Sequence, residues 1–279
     1  MRKIEEHIFK VLMISATLLI VGSFFLIMFT LLKKGLPAMS FDMISKTPEG
    51  GFYIGKEGGV LNAIIGSLYL ALSSSVLALI ISLPIVVYIN IYLKKRSGLG
   101  SVTRLSYDVL FGIPSIVYGA FGFTIMMYFG LKASLLGGII AVTLLVIPIM
   151  IRTMDEVMHT VPKELLDASY SLGATRLETV KILIRQSAPG IFTAILLSFG
   201  RAIGDAASVM FTAGFSDNIP TSLTDPAPTL PLTIFFQLSS PIEEVQARAY
   251  ASTLILTALV LIISISARIL TKRFSKNKI

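Results

Sequence analysis

The polar side chains between residues 198 and 212 are the clearest functional feature of the sequence, because they interrupt an otherwise apolar stretch. In a helix, their spacing of three, four, three and four residues predicts one polar stripe: Ser198, Arg201, Asp205, Ser208 and Thr212. A planar guanidinium can grip two oxygens of an anion, so the stripe could line a polar path for an anion. The alternative is that Arg201 and Asp205 form a pair that only ties helices together.

An arginine in the apolar core of a membrane costs roughly 2.5–3.5 kcal/mol on insertion scales. We therefore expect Arg201 to face a bundle interior, a partner or a water-filled pathway rather than lipid. Asp205 lies one helical turn further on, where it could hold the guanidinium when no anion is bound and repel the anion enough to release it. The stripe needs a membrane-spanning helix to carry it.

The composition is that of an integral membrane protein. Hydrophobic residues make up 54% of the 279, charged residues only 14%, and the mean hydropathy is +0.82. Six largely uncharged runs approach or exceed the roughly 20 residues needed to span hydrocarbon: 11–32, 60–93, 109–131, 133–151, 186–200 with a continuation past Arg201 and Asp205, and 249–267. We predict an all-α integral membrane fold with six transmembrane helices, in a single domain over residues 1–279 with an N-terminal helix at about 11–32 and a core at about 60–268.

The basic residues are unevenly distributed, which predicts an orientation. With the N-terminus inside, cytoplasmic segments hold 17 of the 24 lysines and arginines, outer segments hold six, and Arg201 lies in the membrane. This bias favours both termini in the cytoplasm, with Lys33 and Lys34 as the main exceptions. It also explains the net charge of +8 without nucleic acid as a partner. Because cysteine is absent, disulfides and cysteine metal sites are excluded.

Two long segments, 33–59 and 216–246, are predicted on the outer surface as irregular or short amphipathic pieces. They could be plain connections or the docking site of an external partner.

The cytoplasmic segment 155–186 differs from the other connections. Pro162 signals a helix start, Glu164 and Asp167 lie in its first turns, and Gly173 signals its end in a left-handed conformation. A second amphipathic helix then leads back into the membrane. A short helix, a glycine turn and a second helix predict a compact knob that fits a groove on another protein, or alternatively a surface helix on lipid headgroups.

Several motifs resemble a known family. The knob contains Asp167, Ala168 and Ser169, followed after three residues by Gly173, and this resembles the signature loop of ABC importer permeases. The runs GGVLNAIIGSL (58–68), GIPSIVYGAFG (112–122), IPIMIRTMDE (147–156) and GRAIGDAASVMFTAG (200–214) together resemble the A-type permease subunit of phosphate-specific ABC importers. That family usually has glutamate where this chain has Asp205, and Thr-Ala-Pro where it has residues 206–208, so a carboxylate is retained.

The resemblance implies a type I ABC importer permease fold in a prokaryotic cytoplasmic (inner) membrane. It implies a homologous permease subunit as the partner in a heterodimer, two ATP-binding cassette ATPase subunits and an extracytoplasmic phosphate-binding protein. The expected substrate is phosphate, or alternatively molybdate or sulfate, and the expected ATPase-coupling residues are Glu164, Asp167, Ala168, Ser169 and Gly173.

The sequence also indicates which activities the chain lacks. It has no phosphate-binding loop of the G-x-x-x-x-G-K-[ST] type, so it is expected to be a transporter subunit whose energy comes from partner ATPases. His7 and His159 lie at helix margins without clustered carboxylates, so no metal and no cofactor is expected. A membrane enzyme and a passive anion channel remain rival hypotheses. The first lacks a nucleophile or acid–base pair near Arg201, and the second has no use for the knob.

Overall fold

The computed structural model describes residues 2–49, 57–93 and 97–275, with side chains from residue 5 to residue 269. Within these residues the chain is helical: α1 Arg2–Gly35, α2 Phe41–Ser45, α3 Leu61–Val87, α4 Gly98–Phe111, α5 Ser115–Tyr128, α6 Leu135–His159, α7 Lys163–Ser171, α8 Arg176–Ile203, α9 Leu230–Leu238 and α10 Glu243–Ser275. A π-helix, Tyr88–Tyr92, continues α3. Part of the predicted outer segment (50–56) and three of the predicted cytoplasmic basic residues (94–96) lie outside the described residues.

Six membrane spans follow if one bent pair of helices counts as a single span. The helices α1, α3, α6, α8 and α10 are each long and apolar enough to cross a membrane, and α4 and α5 qualify together although they meet at 101°. The break lies at Gly112–Pro114, where Pro114 has no amide hydrogen and disfavours a helical conformation of the residue before it. The third predicted helix, 109–131, is therefore wrong as a continuous helix, since α5 begins only at Ser115.

The fifth predicted helix is also different in extent. We predicted it from residue 186 and past the Arg201/Asp205 pair, but α8 begins at Arg176 and ends at Ile203. Its start is fixed by a capping box, in which Glu178 N donates to Thr175 Oγ1 at 3.4 Å and Thr175 N donates to Glu178 Oε2 at 2.8 Å. The amphipathic helix of the knob and the fifth transmembrane helix are thus one helix of 28 residues.

The core of the bundle lies between α3, α6 and α8. Its buried side chains include Leu70, Val142, Met150, Met154 and Leu183. A smaller buried cluster at the opposite end of the bundle from α7 joins the short helices α2 and α9 to α3 and α10, so α2 and α9 cover the bundle there. Its members are Met43, Val60, Ala63, Leu230, Ala251 and Ile255. The segment 216–246, predicted as irregular or short amphipathic pieces, contains a short packed helix, α9.

The first helix stands apart from the core. None of its membrane-spanning window is buried within the subunit. It contacts α10 near its own end, where a side chain at Gly35 would clash with the backbone of Tyr250 and the side chain of Leu254. Its apolar surface is therefore available to lipid or to another subunit.

Candidate translocation site and docking knob

The predicted polar stripe does not lie on one helix. The C-cap of α8 is Gly204, and Asp205 begins a new segment of helical turns, in which Met210 N donates to Ala206 O at 3.1 Å and Ala213 N to Val209 O at 3.0 Å. Asp205 caps this segment as an N-cap residue does. Its Oδ2 accepts from Ser208 N at 2.8 Å and from the Ser208 hydroxyl. We call residues 205–213 the Asp205 turn. The single-helix prediction is wrong because α8 ends before Asp205, whose carboxylate caps the backbone amide of Ser208 in a new segment.

The break separates Arg201 from the other polar residues. The Arg201 side chain is 48% exposed on the surface of the subunit, whereas the Asp205 side chain is 2% exposed, and their nearest charged atoms, Nη2 and Oδ1, lie 3.7 Å apart. The three hydroxyl residues of the stripe are buried: Ser198, Ser208 and Thr212. Thr212 Oγ1 donates to Ser208 O at 2.8 Å, whereas the Ser198 hydroxyl has no hydrogen-bond partner among the described residues.

The Asp205 turn packs closely against glycines on α5 and α6, which we call the glycine seat. A methyl group at Gly119 would lie 2.9 Å from the carbonyl oxygens of Ala207 and Ser208. One at Gly137 would lie 2.7 Å from Thr212 O, and one at Gly138 would lie 2.9 Å from Ala213 Cβ. The turn therefore touches two helices by backbone contact, and larger side chains at these positions would displace it.

The arrangement of Arg201 beside the Asp205 turn could bind an anion at the surface of the subunit. Irregular backbone in an apolar span is tolerated only where it is buried in protein or lines a water-filled cavity. Here most of the Asp205 turn is buried or half-buried, with only Phe211 exposed, while the adjacent Arg201 presents its donors outward from the subunit. A guanidinium in this position can bind an anion between this subunit and whatever faces it.

The knob is built as a helix, a turn and the start of α8. The N-cap of α7 is Pro162, and the chain reverses at Gly173, whose φ of +80° is the left-handed conformation predicted from the sequence. The hydroxyl of Ser169, on α7, lies 3.1 Å from that of Thr179, on α8, and both residues are buried. These contacts hold the two helices of the knob together.

The predicted coupling residues fall into two groups. Four of them are exposed on the knob: Glu164, Asp167, Ala168 and Gly173. Ser169 is not part of this surface, because its side chain packs inside the knob against Thr179. Exposed leucines adjoin the surface, among them Leu172, which is 89% exposed.

A cluster around Asp155 was not predicted. The buried carboxylate of Asp155, near the end of α6, accepts from Arg104 Nε at 2.8 Å, from the Tyr107 hydroxyl at 2.7 Å and from Asn90 Nδ2 at 2.7 Å. A second Arg104 nitrogen, Nη2, lies 3.1 Å from His159 Nε2. We call these five residues the Asp155 cluster. No sequence signal pairs them, because they come from three separate elements.

Two of the cavities outside the stripe lie at opposite ends of the bundle. One of about 160 Å³, lined by Asn90, Arg104, His159 and Lys163 among others, separates the Asp155 cluster from α7. The other, of about 580 Å³, is an open recess at the α9 end between Thr47 and residues 216–226. There the Thr221 hydroxyl, with the amides of Thr221 and Ser222, lowers the pKa of Asp225. The described residues contain no group of three or more histidine, cysteine, aspartate or glutamate side chains that could hold a metal.

Comparison with known proteins places these features in a family. The family model described as "Binding-protein-dependent transport system inner membrane component" matches residues 81–276. The phosphate transport system permease protein PstA of Yersinia pestis is 36% identical, covering 96% of this chain and 90% of the relative. The protein of the same name from Pasteurella multocida is 34% identical, covering 90% and 88%. A chain of the inward-facing MetNI methionine ABC transporter superposes with a TM-score of 0.65 at 17% identity, over 77% of this chain and 95% of that one. The chain belongs to the family of binding-protein-dependent transport system inner membrane components.

Proposed function

We propose that this chain is the permease subunit of an ATP-driven ABC importer of inorganic phosphate, and that it forms half of the translocation pathway beside a homologous permease subunit. The observation that carries the proposal is the half-exposed Arg201 on an apolar bundle surface, next to a break in α8 at Gly204. A charge in that position needs a polar environment outside the subunit. Relatives named as phosphate transport permeases support phosphate as the anion.

The pathway residues have different roles. Phosphate is a mono- or dianion near neutral pH, so the pathway needs a positive group to offset the loss of hydration. Arg201 offers a planar set of donors to two phosphate oxygens. Asp205 stays bonded to Ser208 and holds Arg201 at one edge of its guanidinium, which limits how tightly the anion is held. Ser208, Thr212 and Ser198 shape the wall behind Arg201 rather than contact the anion, because they are buried.

The two ends of the bundle suit different partners. Two ATPase subunits supply the energy, and the one below this chain binds the knob, whose exposed Leu172 and Leu177 suit an apolar groove. Glu164, Asp167 and Ala168 lie on the same surface. The phosphate-binding protein docks at the α9 end. The knob and both termini are cytoplasmic, in agreement with the excess of basic residues on that side.

Substitutions of Arg201 test the proposal. Arg201→Lys keeps the charge but loses the planar fork, so the complex should assemble and lose much of its phosphate uptake. Arg201→Gln should lose nearly all uptake. Arg268→Gln, which removes an exposed arginine from α10, is the matched control and should transport normally.

The double variant Arg201→Gln, Asp205→Asn distinguishes anion binding by Arg201 from a purely structural Arg201–Asp205 pair. If the pair were only a tie, removing both charges could be nearly neutral and would restore function. We expect the double variant to assemble with its partners and to transport no phosphate. Substantial uptake by that variant would refute the role of Arg201 and move the anion site to the partner permease.

A further inference from the structure

The Asp155 cluster joins helices that are distant in sequence. Asp155 lies on α6 and accepts from Asn90, in the π-helix that continues α3, and from Arg104 and Tyr107, both on α4. Arg104 uses two nitrogens on this carboxylate, Nε at 2.8 Å and Nη2 at 3.3 Å. A buried carboxylate held by charge-assisted hydrogen bonds of this kind is a strong and directional tie between the helices that carry its partners.

The fourth helix depends on this tie more than on apolar packing. Its buried residues are Gly100 and Tyr107. Most of its apolar surface points away from the subunit, with six large exposed side chains: Leu99, Val102, Leu105, Val109, Leu110 and Phe111. Two weaker links between α4 and α6 involve the exposed Arg152: its Nη1 lies 3.7 Å from Asp108 Oδ1, and its guanidinium lies 4.9 Å from the centre of the Phe111 ring. Exposed contacts of both kinds contribute little, about 1 kcal/mol or less each. The position of α4 is therefore set mainly by the Asp155 carboxylate.

The cluster lies between the knob and the Asp205 turn. On one side, α6 ends at His159 and the chain enters α7 within four residues. On the other side, α4 turns by 101° into α5, where Gly119 touches the backbone of the Asp205 turn. The cavity of about 160 Å³ beside the cluster leaves α7 without close packing against α4, so movement of the knob reaches α4 through α6.

We propose that Asp155 is a positioning residue that makes α4 follow the knob, so that the α4–α5 corner moves as one unit with α7 when the ATPases bind and hydrolyse ATP. The proposal rests on the proposed function as an ATP-driven permease. In this role Asp155 contacts no substrate. It couples ATP hydrolysis to the helix that seats the Asp205 turn.

The first test measures coupling in proteoliposomes that contain the whole complex. Asp155→Asn keeps the side-chain shape but removes the charge. The number of phosphate ions imported per ATP hydrolysed should then fall roughly tenfold. This is the factor that corresponds to the loss of one charge-assisted hydrogen bond. Tyr107→Phe removes one hydrogen bond without changing charge and should lower the same ratio less. Glu156→Gln, the exposed neighbouring carboxylate that pairs with Arg152, is the control and should keep the ratio of the unmodified complex.

An unchanged ratio in Asp155→Asn would overturn the proposal, because a residue with a purely structural role would lower ATP hydrolysis and uptake together. If the Asp155→Asn complex does not assemble, Tyr107→Phe decides in the same way. Failure of the unmodified complex to import phosphate would instead refute the proposed function.

A second test does not depend on the substrate. Because the chain has no cysteine, spin labels can be placed at Ser106→Cys on α4 and Ser171→Cys on α7, both exposed. The distance between the labels in the assembled complex should stay the same with and without ATP, and should become broader or shift with ATP when Asp155→Asn or Tyr107→Phe is added. A distance that changes with ATP in the otherwise unmodified chain would show that α4 does not follow the knob.

Discussion

Replacement of Gly119 by alanine tests how the Asp205 turn is held in the bundle. The added methyl group would lie 2.9 Å from three backbone atoms, Ala207 O, Ser208 Cα and Ser208 O. Backbone atoms cannot move aside as a flexible side chain can, so the whole turn must shift. Overpacking of this kind costs about 1–3 kcal/mol, which outweighs the roughly 0.5–1 kcal/mol that alanine gains over glycine inside a helix.

The matched control is Gly200→Ala on α8, where the added methyl group meets nothing within 4 Å in the subunit. This variant makes the same chemical change and keeps only the helical gain. The two variants are compared by the midpoint of thermal unfolding of the purified subunit in detergent. A change of about 1 kcal/mol in the free energy of unfolding shifts this midpoint by roughly 2–4 °C for a chain of nearly this size.

We expect Gly119→Ala to unfold at a lower temperature than the parent and Gly200→Ala at the same or a higher temperature. Gly119→Ala should also reduce phosphate uptake by the assembled complex, because the displaced turn carries Asp205 away from Arg201. An unfolding midpoint of Gly119→Ala at or above that of the parent would refute the close seat of the turn on α5.

Two further predictions concern the knob and the orientation. Gly173→Val places a branched side chain at a φ of +80°, which costs on the order of 1 kcal/mol or more. The knob is then misdirected, so ATP hydrolysis should be uncoupled from uptake while the protein stays in the membrane, and normal ATP-dependent uptake would contradict this role. In the cysteine-free chain, Ser171→Cys on the knob should resist a membrane-impermeant thiol reagent in intact cells, whereas Ser222→Cys in the loop before α9 should react. Labelling of Ser171→Cys from outside would reverse the topology.

Hydropathy and local signals predict much of this fold from the sequence. The six apolar runs correspond to the spans, because each must bury about 20 residues in hydrocarbon whatever its neighbours do. Pro162, the acidic first turn and Gly173 likewise predict α7 and its end, because capping and left-handed turns depend on a few adjacent residues. In these cases the cause of the structure is local.

The incorrect and missing predictions concern features that depend on residues far apart in sequence. A spacing of three and four residues fits one helix, and it also fits two helical pieces joined at Gly204, since Asp205 restarts the same periodicity. The segment after Gly204 also packs against Gly119, Gly137 and Gly138 on α5 and α6, which lie far away in sequence. The Asp155 cluster was missed for the same reason, because Arg104 and Asp155 are 51 residues apart.

Uptake of radiolabelled phosphate decides whether the chain imports phosphate at the expense of ATP. The assay uses proteoliposomes with this chain, its homologous permease, the two ATPase subunits and the phosphate-binding protein. We predict uptake that requires ATP and that excess unlabelled phosphate abolishes, whereas equal excesses of sulfate or molybdate leave it unchanged. Uptake without ATP would identify a passive channel, and equal competition by sulfate or molybdate would contradict phosphate as the substrate.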